Sequence, residues 1–311
     1  MRTARFLPLI LLVAALVFGV ARAIDNSYVF FAGYVVLQYI VLAIAWNILG
    51  GYTGYVNFGT PAFLAIGAYA SVALYKIVPL PIPLLMLIGG VLSGIVGLGT
   101  GYLTLRLRGA FFSIATLALS VVVQTLVTNW DFVGGSRGAY IIRPMAAPLI
   151  GGGYIDYLCL LMLLLVVLSV VIARAIEHSK LGYGFATIRD DEAAAEASGV
   201  PTLRLKLMAT TLSGALMGMA GAPLPYYVTY LDPASGFSLT YAVNAIAMPL
   251  IGGTASWIGP ILGAVILGTV QQLVTVTISS AANLLIVGLI LVGFVIVAPN
   301  GIVGLVRGWR R

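Results

Sequence analysis

The chain has 311 residues, of which 61% are hydrophobic and 8% charged; its formal net charge is +7 and its mean hydropathy +1.10. A soluble globular chain carries about 25% charged residues, so this one lacks the side chains to cover a water-facing surface, which excludes the soluble enzyme classes. An excess of Lys and Arg in such a chain marks cytoplasmic loops rather than nucleic-acid binding.

Met1–Arg5 is basic and is followed by an apolar stretch over 6–23. It reads as a first membrane helix, although Ala21-Arg22-Ala23 also fits the cleavage site of a signal peptide, whose removal would leave the remaining topology unchanged. Beyond it no Asp, Glu, Lys or Arg interrupts Asn26–Tyr75, Ile77–Leu105, Gly109–Trp130, Tyr157–Ala173, Leu207–Leu231 or the 74 residues of Pro233–Val306. A helix crosses the hydrocarbon layer with about 20 apolar residues, so the longest runs hold several passes. Stretches such as LCLLMLLLVVLSVVIA lack the alternation of a β-barrel strand. The expected fold is therefore an all-α polytopic membrane protein forming one transmembrane domain over 1–311. About ten helices are expected. They lie near 6–23, 28–49, 61–78, 82–105, 110–128, 154–175, 206–230, 239–251, 259–279 and 282–298.

With the N-terminus inside, 12 of the 16 basic residues fall on cytoplasmic segments: Arg2, Arg5, Arg106, Arg108, Arg174, Lys180, Arg189, Arg204, Lys206, Arg307, Arg310 and Arg311. Arg22, Lys76, Arg137 and Arg143 remain outside, and this split predicts both termini in the cytoplasm.

Two segments read as breaks between helices, Gly50–Pro61 and Ile251–Pro260. Each is expected at the inner end of a span. Irregular backbone at membrane depth must line a cavity or be buried in protein, so each break marks either a transport path or close helix packing. Asn57, Asn244 and Thr254, polar residues in or near these breaks, are the candidates for the path.

No acidic residue is expected in the middle of a span, which leaves no evident means of coupling to a proton gradient. Lys76, Lys180 and Lys206 are followed by Ile, Leu and Leu, so no phosphate-binding Gly-Lys-Ser/Thr loop exists. One Cys and one His (Cys159 and His178) make neither an intrachain disulfide nor a His/Cys metal cluster. Energy for active transport would have to come from another subunit.

The longest charged segment, 177–205, joins the sixth and seventh spans. Asp190–Ser198 reads as a short helix, capped by Asp190, with Asp191 and Glu192 at its positive end and Gly199 and Pro201 stopping it. Ala194 and Ala195 give it a small face for docking, and Glu192 and Glu196 repel unless a basic partner faces them. A docking helix and a solvated connecting loop both fit these residues.

This loop resembles the EAA coupling loop of ABC-importer permeases, in the form found in branched-chain amino acid permeases of the LivM type. The likeness runs from Ser179-Lys180-Leu181-Gly182 through Ile188–Glu192, Ala194–Ala197 and Gly199 to Lys206-Leu207 and Gly218–Ala222. Upstream it takes in Leu49–Gly54, Gly59, Ala62-Phe63, Gly67–Tyr69, Leu105–Gly109, Phe112, Ile114, Thr116–Ala118, Asn129-Trp130 and Gly134–Gly138. Downstream come Gly252-Gly253, Gly259–Ala264 and Pro299-Asn300-Gly301, so the ordered matches cover about 46 to 304. Pro223, Pro225 and Pro249, and Asp131-Phe132-Val133, depart from the pattern.

The resemblance implies an importer in the bacterial inner membrane, made of two permease subunits, two cytoplasmic ATPases and an extracytoplasmic solute-binding protein. ATP and Mg would be used by the ATPases, with no cofactor on this chain. Leucine, isoleucine and valine are the implied substrates, with urea and short amides as the alternative. ATPase contact is implied for the loop residues Arg189, Asp190, Asp191, Glu192, Ala194, Ala195, Glu196 and Gly199.

Overall fold

The computed structural model describes residues 3–24, 26–104, 107, 109–144, 153–277, 280–298 and 301–308. Of the residues used above, Met1, Arg2, Leu105, Arg106, Arg108, Pro299, Asn300, Arg310 and Arg311 lie outside this set.

The apolar runs fold as long helices: α1 (Thr3–Ala23), α2 (Ser27–Thr53), α3 (Thr60–Ile77), α4 (Ile82–Thr104), α5 (Ala110–Thr128) and α6 (Tyr154–Glu177). Two short helices follow, α7 (Lys180–Asp190) and α8 (Glu192–Ala197). The chain then continues through α9 (Thr202–Gly221), α10 (Leu224–Val228), the single turn α11 (Pro233–Gly236), α12 (Leu239–Gly252), α13 (Ile258–Thr277), α14 (Ser280–Val297) and α15 (Gly301–Gly308). Among the described residues nine segments are long and apolar enough to cross a membrane, with α9 and α10 forming one of them and α11 and α12 another. The 18 residues of α14 carry no charge.

The seventh span differs from the expectation in two ways. It begins at Thr202 rather than 206, and it divides at Pro223 into α9 and α10. Proline lacks the N–H that would continue the helical ladder.

The core is built around α2, buried almost continuously from Gln38 to Thr53. Helices α6, α9, α12 and α13 pack on it. Beside it α3, α4 and α9 approach through small residues. A Cβ on Gly67 would overlap the Gly218 carbonyl, and one on Gly221 would overlap that of Leu64. Between helices in lipid, small residues permit the backbone approach that gives dispersion contact its strength. Exposed apolar side chains such as Leu16, Ile95, Phe111, Leu126 and Leu289 form the lipid-facing exterior.

At one end of the bundle, a two-stranded ladder pairs Ala139 with Leu231 and Tyr140 with Tyr230. It joins the turns after α5 to the chain after α10. At the opposite end lie α7, α8 and both helix breaks.

Candidate functional site

The linker between α6 and α9 is more structured than its sequence predicts. Ser179 caps α7, its Oγ accepting from the Leu181 N–H at 3.2 Å. Phe185 and Ile188 are buried, Leu181 half-buried one turn before them, and Tyr183 points outward. Asp190 closes this helix and does not open the next, contrary to the expectation. Asp191, extended at φ −160° and ψ 107°, breaks the chain and takes the capping role. Its Oδ1 accepts from the N–H groups of Ala193 (2.9 Å) and Ala194 (3.1 Å). Arg189 Nε and Asp190 Oδ1 form a surface ion pair at 3.3 Å. Gly199, at φ 81°, turns the chain back toward α9. Of the two alanines expected to form a docking face, Ala195 is buried against its own chain and Ala194 is exposed, together with Ala193 and Ala197.

A basic partner does face Glu192, because the turn brings α9 against α8. Lys206 Nζ lies 2.6 Å from Glu192 Oε1, with the two side chains 4% and 12% exposed. Tyr55 donates its hydroxyl to Glu192 Oε2 at 2.5 Å and accepts from Lys206 Nζ at 3.2 Å. The ammonium also stands 4.9 Å from the Tyr55 ring centroid, a cation–π contact. Glu196 accepts from the Thr202 hydroxyl at 2.7 Å. Removing one member of a buried ion pair strands the other, at a cost of about 3–5 kcal/mol. Tyr55, Lys206 and Phe112 were not among the sequence candidates. Lys206, one of three lysines and followed by the uncharged run Leu207–Leu231, was the legible signal.

Tyr55 belongs to the first break. After α2 ends, Gly54 takes a left-handed conformation (φ 79°) against Arg189. The extended residues that follow are held from two sides. Trp46 Nε1 donates to the Asn57 carbonyl at 2.8 Å. From α5, Ser113 Oγ donates to the Val56 carbonyl at 2.9 Å, and the Phe58 N–H donates to Thr116 Oγ1 at 3.1 Å. Asn57 Oδ1 accepts from the Gly59 N–H at 2.7 Å, and Pro61 starts the next helix. The Tyr55 ring meets the fully buried Phe112 ring edge-on, with centroids 5.1 Å apart.

The second break follows α12. Gly252, Gly259 and Gly263 bring α12 and α13 into backbone contact, where a Cβ on any of them would overlap a carbonyl oxygen. The Thr254 carbonyl accepts from Asn47 Nδ2 at 3.1 Å, and the Trp257 N–H donates to Glu177 Oε2 at 2.9 Å. The two breaks are thus joined through the last turns of α2, by Trp46 to one and Asn47 to the other.

Of the three path candidates, Asn57 is 1% exposed inside the first break, and Thr254 is half-buried in the second. Asn244 lies elsewhere, about 12 Å of helix before the end of α12 at Gly252. Its Oδ1 accepts from Gln271 Nε2 at 2.8 Å, so it joins α12 to α13. The structure does not gather the three into one chamber. At the surface beside the first break, a cleft of about 420 Å³ is lined by Thr53, Gly54, Tyr55, Val56, Gly109, Ala110, Ser113, Ile188, Arg189 and Glu192.

Residues 28–296 match the sequence profile of a family described as the permease component of the branched-chain amino acid transport system. The chain is 29% identical over 293 residues to the high-affinity branched-chain amino acid transport system permease protein LivM of Salmonella typhimurium, covering 86% of this chain and 68% of that one. Against LivM of Escherichia coli the identity is 28% over the same shares. A probable branched-chain amino acid transport permease protein LivH of Methanocaldococcus jannaschii is 24% identical, over 88% of this chain and 90% of its own. No solved structure matches.

Proposed function

From a chain that belongs to the family of branched-chain amino acid transport permeases, we propose a subunit that provides the translocation path of an ABC importer for leucine, isoleucine and valine. The observation that carries this is that the family match over 28–296 spans both helix breaks and the α7–α8 element packed beside the first of them. In this reading the chain works with a second permease, two cytoplasmic ATPases that consume ATP and Mg, and an extracytoplasmic solute-binding protein. It resides in the bacterial inner membrane with both termini inside.

The orientation is supported by the side on which the elements gather. Phe6 of α1, Arg174 and Glu177 of α6, and Trp257 before α13 meet at the α7–α8 end, where the Arg174 guanidinium lies 4.0 Å from the Phe6 ring centroid. Most of the basic residues belong to that end by sequence.

The proposed division of labour follows from the site. The exposed face of α8 (Ala193, Ala194, Ala197) and the ends Arg189, Asp190 and Gly199 meet the ATPase. Asp191 caps the helix, and Glu192, Ala195 and Glu196 tie it to the permease. A push on α8 therefore reaches the first break directly.

The test is to purify the tagged chain gently from its native membrane, identify stoichiometric partners by mass spectrometry, and assay the complex in proteoliposomes. ATP-dependent leucine uptake, competed by isoleucine and valine and not by urea, is expected. A chain recovered alone that moves solute without ATP would overturn the reading.

A further inference from the structure

The charged network under α8 holds one side chain of the first break more firmly than backbone continuity requires. Tyr55 needs neither Glu192 nor Lys206 to complete the turn between α2 and α3, since Trp46, Ser113 and Thr116 already satisfy that backbone. Its hydroxyl nonetheless bonds to both charges, and its ring closes on Phe112 at the start of α5. One side chain thus touches α8, α9 and α5 together.

The position of this side chain matters because of what lies on either side of it. Below is the surface cleft that Tyr55 and Glu192 line. Above, along the face of α5 that continues from Phe112, come Thr116 and Ser120, both buried. The Ser120 hydroxyl, the Thr60 hydroxyl and the Asn57 amide nitrogen are enclosed without a protein partner. Buried polar groups without a protein partner call for water, a solute or another polar group beside them. Phe112 and Tyr55, both buried, meet edge-on beside the cleft.

We propose that Tyr55, gripped by Glu192 and Lys206 and seated on Phe112, is a latch that closes the α7–α8 end of a path between α5 and the α2–α3 break, and that movement of α8 releases it. This rests on the importer reading for the source of the movement, but not for the existence of the latch. When α8 shifts, Glu192 shifts with it, the hydroxyl loses its acceptor, and the ring is free to leave Phe112.

The experiment uses the full chain in its native membrane, in a Cys159→Ala background, with Ser120→Cys as the reporter above the latch. Ser120 makes no bond that cysteine would break. A small charged methanethiosulfonate reagent is applied to inside-out vesicles, with and without a non-hydrolysable ATP analogue. Slow labelling is expected in the chain with Tyr55 intact, changed by the nucleotide. In Tyr55→Phe, which keeps the ring and removes the hydroxyl, labelling is expected to rise about tenfold and the nucleotide response to disappear. Glu192→Gln serves as the second variant, preserving shape while removing charge, with the same direction expected. Unchanged labelling in both variants overturns the latch. Faster labelling in the variants, with no nucleotide response even when Tyr55 is intact, keeps the latch and overturns the importer reading.

Discussion

At Gly252, Gly259 and Gly263 the absence of a side chain decides whether α12 and α13 can meet at all. A methyl group on Gly259 would overlap the Gly253 carbonyl, and backbone cannot rotate away as a flexible side chain can. Overpacking of a tight core costs about 1–3 kcal/mol, and a backbone contact sits at the upper end. Gly259→Ala is therefore expected to lower the melting temperature in detergent by several degrees or abolish the monodisperse peak. Gly99→Ala is the control, because nothing lies within 4 Å of the added carbon, and it is expected to melt like the unsubstituted chain. Both are read by fluorescence-detected size exclusion after heating. At this scale the sequence was informative where a residue type is restricted by space, as in the glycine clusters. It was silent where a residue's partner is distant. Glu192 and Glu196 repel when read along one helix, and only the turn at Gly199–Pro201 supplies Lys206 to the first and Thr202 to the second. For Asn244 nothing in the chain's order reveals that its Oδ1 accepts from Gln271 across to α13, while its amide nitrogen is buried without a protein partner.

Helix α8 is not self-sufficient. Six residues make fewer than two turns, below the length at which a helix persists alone in water. Its persistence therefore depends on its ends: the Asp191 cap, the Thr202 bond to Glu196, and the Val200 N–H donating to the Ala195 carbonyl at 3.0 Å. Asp191→Ala removes both cap bonds, a loss of about 1 kcal/mol, or about fivefold in local opening. Hydrogen exchange by mass spectrometry should show peptides over 191–200 exchanging about fivefold faster, with the membrane helices unchanged. Equal protection in the variant would mean that docking on α9, not the cap, holds the helix. The long helices were legible because an uncharged run of sufficient length has few alternatives in lipid. Helix α7 was not, although Leu181, Phe185 and Ile188 fall at helical spacing. Gly182 and Gly184 lower its propensity, and the charges that follow suggested a solvated loop. The burial of Phe185 and Ile188 under the first break restores what propensity withholds.

For the whole molecule, the consequence of the fold is polarity between its two ends. One carries the paired strands and the turns after α5; the other carries α7, α8 and both helix breaks. In the proposed importer the α7–α8 end must lie on the side where ATP is hydrolysed, so orientation in the membrane and function stand together. Two reporters decide it in the Cys159→Ala background: Ser136→Cys in the turn after α5, and Ser198→Cys after α8, both exposed. In intact cells with a permeable outer layer, an impermeant maleimide is expected to label Ser136→Cys at once. Ser198→Cys should remain unlabelled until the membrane is opened. The charge count supports this direction. The geometry of the site makes the labelling result more demanding than a topology assignment. Labelling of Ser198→Cys from outside would place Glu192, Lys206 and Tyr55 beyond reach of any nucleotide-driven motor. The buried ion pair would then be a brace for the helix break alone, and the same three side chains would have to be explained by stability rather than by transport.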